Sequence, residues 1–348
     1  MAQNNEIKYR LTLDPSQVKP ATRDQPQPAD SLPTPTKSNK TPHGSRNDEN
    51  ARYYFVGTAT GVLEWEGIRL LTDPNFLHAG DHVHLGPGVT AQRQTNPAID
   101  LHELPRVDAV LLSHYHADHF DQKVEESLRR DLPIISTPHA KSCLVDKKGD
   151  DAFTEVYDLD FFENAFLDLA IGGGDGGKVP AIKVTGMPGK HVPPGPLKAA
   201  NDLVGAVPPT NGWMIELGYK SSSSAKDEDF KSGYRIYISG DTLYVNELEE
   251  IPKQYAGQSI DLMLVHLGGT TIPSPKLPLL MVTMDAEQGV KLMKLIQPDV
   301  TIPIHYDDYD AFLSPLSDFQ KAVTAAGFDG KVVYLDRGDA YEFAVKQP

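Results

Sequence analysis

The chain has 348 residues with 39% hydrophobic content, enough to bury a sizeable core in one large domain. Acidic residues outnumber basic ones 48 to 33, a formal net charge of -15 that repels phosphate backbones and anionic lipid, so nucleic acid is not expected as a partner. A single cysteine, Cys143, excludes an internal disulfide and a cysteine-built zinc site, so any metal must be held by histidine and carboxylate.

Residues 1–50 hold seven of the 28 prolines and one aromatic residue, Tyr9, and read as a polar tail or an arm lying on the domain, with Leu11 and Leu13 placed to pin part of it. Residues 51–348 are the domain proper. The N-terminus carries neither the basic stretch nor the apolar core of a secretory leader, and no run approaches the roughly 20 apolar residues of a membrane span. The expectation is a cytoplasmic protein without integral membrane association.

Order begins with three short strands, at residues 53–56, 62–65 and 68–72, the last two joined across Glu66-Gly67. Asp73-Pro74-Asn75 closes this meander, and a long loop with few helix or strand signals follows, from about Phe76 to Leu101. Loops of that length inside a domain often carry function. An apolar run at 107–112 then stops abruptly at Ser113-His114, and a helix-like segment follows at 123–130. Strands are expected at 134–136 and 180–184, the latter leading to His191. Two more, at 213–217 and 234–238, flank a Ser/Lys/Asp-rich excursion that reads as a solvated loop. The apolar run 262–267 ends at His266-Leu267, Asp285 caps a helix reaching Ile296, and 300–304 delivers His305. Strands and helices alternate, which indicates a mixed α/β domain.

The strongest chemical signal lies at Ser113-His114-Tyr115-His116-Ala117-Asp118-His119, three imidazoles and a carboxylate within six positions. Neutral imidazole and carboxylate suit zinc and related divalent cations. One loop cannot close two coordination spheres, so further ligands are expected at later strand ends. His191, Asp241 and His305 occupy such positions in that order.

This set of motifs resembles the metallo-β-lactamase superfamily, and the likeness runs from about Tyr53 to Phe343. Thr72-Asp73-Pro74, Asn211-Gly212-Trp213, Ser239-Gly240-Asp241-Thr242 and Met284-Asp285-Ala286 look closest to the branch containing L-ascorbate-6-phosphate lactonase and N-acyl-phosphatidylethanolamine-hydrolysing phospholipase D. The resemblance implies a four-layer αββα sandwich with ligands at one edge of two facing sheets. It also implies two divalent ions, zinc with manganese or iron as alternatives. His114, His116 and His191 would hold the first, Asp118, His119 and His305 the second, and Asp241 would bridge them. Asp73 would brace the ligand loops by hydrogen bonding.

The chemistry that follows is hydrolysis by a metal-activated water, with Asp118 orienting that water or returning a proton to the leaving group. The expected substrate is a small soluble molecule with an ester-type bond, either a lactone or carboxylic ester or a phosphodiester. His266, at a strand end on the ligand side, is a candidate to polarise or protonate a substrate oxygen, and His82, His84 and Tyr306 are candidates to line the pocket. His43, His78, His102 and His139 are expected outside it, and Cys143 is read as a small buried apolar residue. Two other chemistries remain open. The same loop occurs in persulfide dioxygenases, which use a single iron, and in RNA-processing nucleases, which the acidic balance disfavours. In diiron flavoprotein oxygen reductases a glutamate stands where this chain has His116.

Overall fold

In the computed structural model the described residues are 6–42, 48–86, 89–170, 177–192, 201, 207–221, 229–274 and 277–347. The Ser/Lys/Asp-rich excursion and His43 fall largely or wholly outside them.

Two sheets face each other. The seven-stranded sheet runs, in spatial order, Ile7–Leu13, Asn164–Leu169, Lys178–Pro188, Asn211–Ser221, Lys231–Ile238, Leu262–His266 and Val300–Ile304. The eight-stranded sheet runs Val156–Asp158, Ile134–Ser136, Ala109–Leu111, Ile68–Thr72, Thr60–Trp65, Ala51–Gly57, Ala340–Phe343 and Ser38–Asn39. Period-2 alternation explains the layering. Ala109 and Leu111 point into the core between the sheets, while Val110 and Leu112 pack outward under Val124, Ala140 and Leu144 of the helices Gln122–Ser127 and Pro138–Val145. On the other sheet Leu262 and Leu264 face inward, and Met263 and Val265 face the helices Ala286–Ile296 and Leu316–Ala326. The result is the four-layer αββα sandwich.

Helix Ala286–Ile296 shows how local sequence sets that outer layer. The Asp285 side chain accepts from the Gln288 amide at 2.9 Å, satisfying one of the orphan donors of the first turn. Ala286, Gly289, Val290, Met293 and Ile296 then recur at helical spacing on the buried face. Gly289 is needed for close approach, because a Cβ there would lie 2.6 Å from Leu267 Cδ2.

The N-terminal arm is more regular than its composition suggests. Ile7, Tyr9, Leu11 and Leu13 alternate with Lys8, Arg10 and Thr12, and Ile7–Leu13 adds a parallel edge strand beside Asn164–Leu169. Ser38–Asn39 pairs with Ala340–Phe343 at an edge of the other sheet. The arm thus covers one edge of each sheet, which would otherwise offer unpaired backbone groups. The long loop after Phe76 likewise contains a hairpin, His82–Gly86 paired with Val89–Gln92. Its Val83, Leu85 and Ala91 pack with Leu77, Tyr309 and Ala311.

Candidate metal centre

Strand direction gathers the candidate ligands. Lys178–Pro188 and Lys231–Ile238 both pair antiparallel with Asn211–Ser221, and Leu262–His266 and Val300–Ile304 continue parallel to Lys231–Ile238. Their C-terminal ends therefore share one edge, where His191, Asp241, His266 and His305 follow or end the strands. Ile68–Thr72 and Ala109–Leu111 are parallel in the facing sheet and deliver Asp73 and the His114–His119 loop.

Local backbone chemistry aims these residues. Gly240 has φ +61°, and a Cβ there would lie 2.2 Å from Asn211 O, so only glycine fits the turn that presents Asp241. Thr58, Asp73 and His305 adopt φ of 54°, 36° and 61°, a left-handed geometry costing on the order of 1–3 kcal/mol each for side-chain-bearing residues. Such strain persists where surrounding contacts impose it. Asp73 Oδ1 accepts from Ser113 N at 2.7 Å and its N donates to Leu111 O at 3.0 Å, while His305 N donates to Thr58 O at 2.9 Å.

The side chains fall into overlapping groups whose ligand atoms lie within 4.8 Å of one another: Asp118, His119, Asp241 and His305; His114, His191 and Asp241; and His114, His116 and Asp118. Asp241, Asp118 and His114 each belong to two of these, and Asp241 is the carboxylate that joins His191 with His119 and His305. His116 and His191 share no compact group, and each instead joins His114. All seven are buried except His116, whose side chain keeps 18% of its surface exposed. The Nε2 atoms of His114, His116, His119, His191, His266 and His305, with Asp118 Oδ1 and Asp241 Oδ1, are buried without a hydrogen bond. Buried polar atoms are almost always paired, so these eight orphans, seven of them on candidate ligands, fit a cation donor set.

The other ring nitrogens are occupied. His191 Nδ1 lies 2.9 Å from Val282 O, His305 Nδ1 3.1 Å from Leu267 O, His114 Nδ1 2.9 Å from Ser113 Oγ, and His119 Nδ1 3.3 Å from Asp73 Oδ2. Such contacts turn Nε2 toward the shared space. Protonation agrees in part. Burial, with His119 and His191 beside it, holds His114 well below the usual imidazole range, and burial above all brings His191 down to about 4. Burial works against ionised Asp118 and Asp241, but neighbouring imidazoles more than offset it and hold both carboxyls well below their usual range. Neutral imidazole and ionised carboxylate are the forms a cation requires. Burial works against charged His119 and His305 too, but Asp241 and Asp118 prevail and hold His119 well above and His305 above the usual imidazole range, so these two shed a proton when they ligate a cation.

Residues 69–306 match the family model described as a beta-lactamase superfamily domain. This chain belongs to that superfamily. Among relatives of the superfamily member described here, a UPF0173 metal-dependent hydrolase of Archaeoglobus fulgidus is 26% identical over 289 residues, covering 83% of this chain and 97% of that protein. One of Salinibacter ruber is 24% identical, covering 80% and 94%. Among solved structures, the isothiocyanate hydrolase from Delia radicum gut bacteria superposes with a TM-score of 0.63 at 17% identity, covering 84% of this chain and 99% of that one. A possible metal-dependent hydrolase of Veillonella parvula gives 0.59 at 16% identity, covering 84% and 98%. At these identities the structural matches establish the superfamily fold alone.

The remaining candidates in this superfamily member are placed differently. His266 is fully buried behind His119, with ring centroids 5.9 Å apart and its Nε2 3.7 Å from Asp73 Oδ2. Its Nε2 has no hydrogen-bond partner, and with Asp73 and His119 it forms a fourth compact group of possible ligands. Tyr306 is buried among Phe319, Val323 and Val332 under the outer helices, because the left-handed turn at His305 sends the next side chain away. His82 and His84 lie exposed on the hairpin face opposite Val83 and Leu85. His78 and His102 pair at the surface with Asp100 and Asp24, and His139 is exposed. Cys143 is part-exposed rather than buried. Sequence reasoning missed Asn75, Arg93, Asp308 and Tyr309. Asn75 Nδ2 donates to Asp118 O at 2.8 Å and to Tyr309 Oη at 2.6 Å. A polar residue beside Asp73-Pro74 was the available signal for Asn75.

Proposed function

We propose that this superfamily member is a metal-dependent hydrolase with a dinuclear centre, zinc being the expected metal. His114, His116 and His191 hold one ion, Asp118, His119 and His305 the other, and Asp241 lies between. The observation that carries the reading is the convergence of orphaned, buried Nε2 atoms with Asp241 Oδ1. Ions so held supply a water acidic enough to lose its proton near neutral pH and polarise a carbonyl or phosphoryl oxygen.

The chain's own contribution centres on Asp118. Asn75 fixes its carbonyl, and His116 and His119 keep its carboxyl ionised against the cost of burial. That carboxylate is the group to take a proton from the attacking water and return it to the leaving group. The expected substrate is a small soluble molecule; of the candidate ligands His116 alone reaches a surface hollow of about 170 Å³, which it shares with Tyr115, Phe120, Gln122, Glu125 and Glu126. No helix among the described residues is long and apolar enough to cross a membrane. The motifs shared with the lactonase and phospholipase D branch support an ester-type bond, in a lactone or carboxylic ester or a phosphodiester.

The test is a panel of lactones, phosphodiesters, thioesters and β-lactams offered to the zinc-reconstituted protein and to Asp118→Ala. Hydrolysis of one class by the wild type, lost in Asp118→Ala, supports the reading. Activity unchanged by the substitution rejects the role of Asp118.

A further inference from the structure

Arg93 lies on the hairpin strand Val89–Gln92's exit into the long early loop, and its guanidinium has no exposed surface. Full burial of an arginine is unusual, so every donor must be accounted for. Nη2 sits 3.1 Å from the equally buried Asp308 Oδ1, an ion pair whose geometry leaves Nη2 without a hydrogen bond. Nη1 donates to Thr58 Oγ1 and, at 3.4 Å, to Asn75 Oδ1. Nε donates to Thr95 O at 3.0 Å, and the guanidinium lies 5.3 Å from the centroid of the Tyr309 ring.

Each partner leads to a candidate ligand of the second ion. Thr58 O accepts from His305 N at 2.9 Å, and Thr58 N donates to Asp308 Oδ2 at 2.9 Å, three residues beyond His305. Asn75 carries the other branch. Its Oδ1 accepts from Leu77 N at 3.2 Å as well as from Arg93, which fixes the amide orientation and turns Nδ2 toward Asp118 O at 2.8 Å. One guanidinium therefore ties together the loops bearing His305 and Asp118. Among the described residues no buried arginine or lysine joins His114, His116 and His191, whose ring contacts run to Ser113, Asp118 and a main-chain carbonyl.

We propose that Arg93 is a positioning residue for the second half of the centre: it fixes the spacing of Asp118 and His305, so affinity for the second ion depends on it and affinity for the first does not. The inference rests on the two-ion reading. It needs arginine specifically. The planar fork reaches Asp308, Thr58 and Asn75 at once, whereas a lysine ammonium supplies a single point of charge.

The experiment uses the full chain, stripped of metal and titrated with zinc alone in competition with a chromogenic chelator. Arg93→Met is made in the wild type, in His191→Ala, which weakens the first half, and in His305→Ala, which weakens the second. Arg93→Met should lower affinity for the second ion about 10- to 100-fold, the range for residues that orient ligands, and abolish the ion retained by His191→Ala while sparing the one retained by His305→Ala. Asn75→Ala keeps the Arg93–Asp308 pair and should shift the same ion in the same direction by less; it decides the matter if Arg93→Met does not fold. Equal loss of both ions, or loss of neither, in the folded variant overturns the proposal. A wild-type chain that takes up one zinc contradicts the two-ion reading itself, and that outcome is visible before any Arg93 variant is titrated.

Discussion

The two halves of the candidate centre are built by different means. His114 and His191 are steered by neutral contacts, a serine hydroxyl and the Val282 carbonyl, and His116 stands partly open to solvent beside the small hollow. Asp118, His119 and His305 are instead set against Asp73, Asn75 and, through Thr58 and Asp308, the buried Arg93. Low dielectric strengthens charged networks and penalises any member left alone. The second half is thus tied into a charged, buried network, and the first includes His116, the one part-exposed candidate ligand.

The largest effect expected is at the residue both halves share. Asp241→Ala should abolish retention of both ions, measured by metal analysis after gel filtration, and lower hydrolysis more than about 100-fold, exceeding the loss typical of residues one step removed. Retention of two ions by that variant would remove the bridge from the account. Next in size, Asp73→Asn keeps the shape of the side chain but weakens its grip on His119 Nδ1. Zinc affinity of the second half should fall roughly 10-fold with the first unchanged; equal shifts in both would show that the halves are not separately braced. His266→Leu should act in the same direction and less strongly, because His266 meets Asp73 and the rings of His119 and His305 without standing among the proposed ligands, and Michaelis constants should stay within about twofold. A large rise in the Michaelis constant would put His266 against substrate after all.

Much of this division was legible in the chain. Four candidate ligands share the loop after the apolar run 107–112, and His191, Asp241 and His305 follow later runs, where an abrupt polar residue is visible without coordinates. Asp285 announced its helix by capping chemistry. Arg93 gave no such sign. A charged residue in a Gly- and Pro-containing loop reads as solvated, and only the long-range approach of Asp308, more than two hundred positions later, buries it. The edge strand Ile7–Leu13 was obscured by the prolines that follow it, although Tyr9, Leu11 and Leu13 alternate properly. Tyr306, expected beside the pocket because it follows His305, is buried in the outer apolar layer, since adjacency in sequence does not say which way a left-handed residue sends the next side chain.

The smallest effect concerns that arm. Lys8 bonds Asp158 at 2.9 Å, and Lys19 bonds Asp131 at 2.9 Å. Burial pushes both carboxyls up, but for Asp131 the charges of Lys19 and Arg129 prevail and hold it at about 2, while Lys141, Tyr9 and Lys8 hold Asp158 lower still. A carboxyl depressed on folding contributes stability above its unfolded value near 4 and loses it as pH falls through the folded one. Acid cleavage within residues 6–20 should therefore rise between about pH 4 and pH 2 relative to cleavage elsewhere, and Asp158→Asn should move that rise to higher pH. An unchanged profile would mean apolar packing alone holds the arm.

The most direct measurement is anomalous diffraction at the zinc edge from crystals of the zinc-loaded chain. The account predicts two peaks flanking the Asp241 carboxylate, one against His114 and one against His305. A single peak, or density centred on Asp73 and His266 instead, would contradict it.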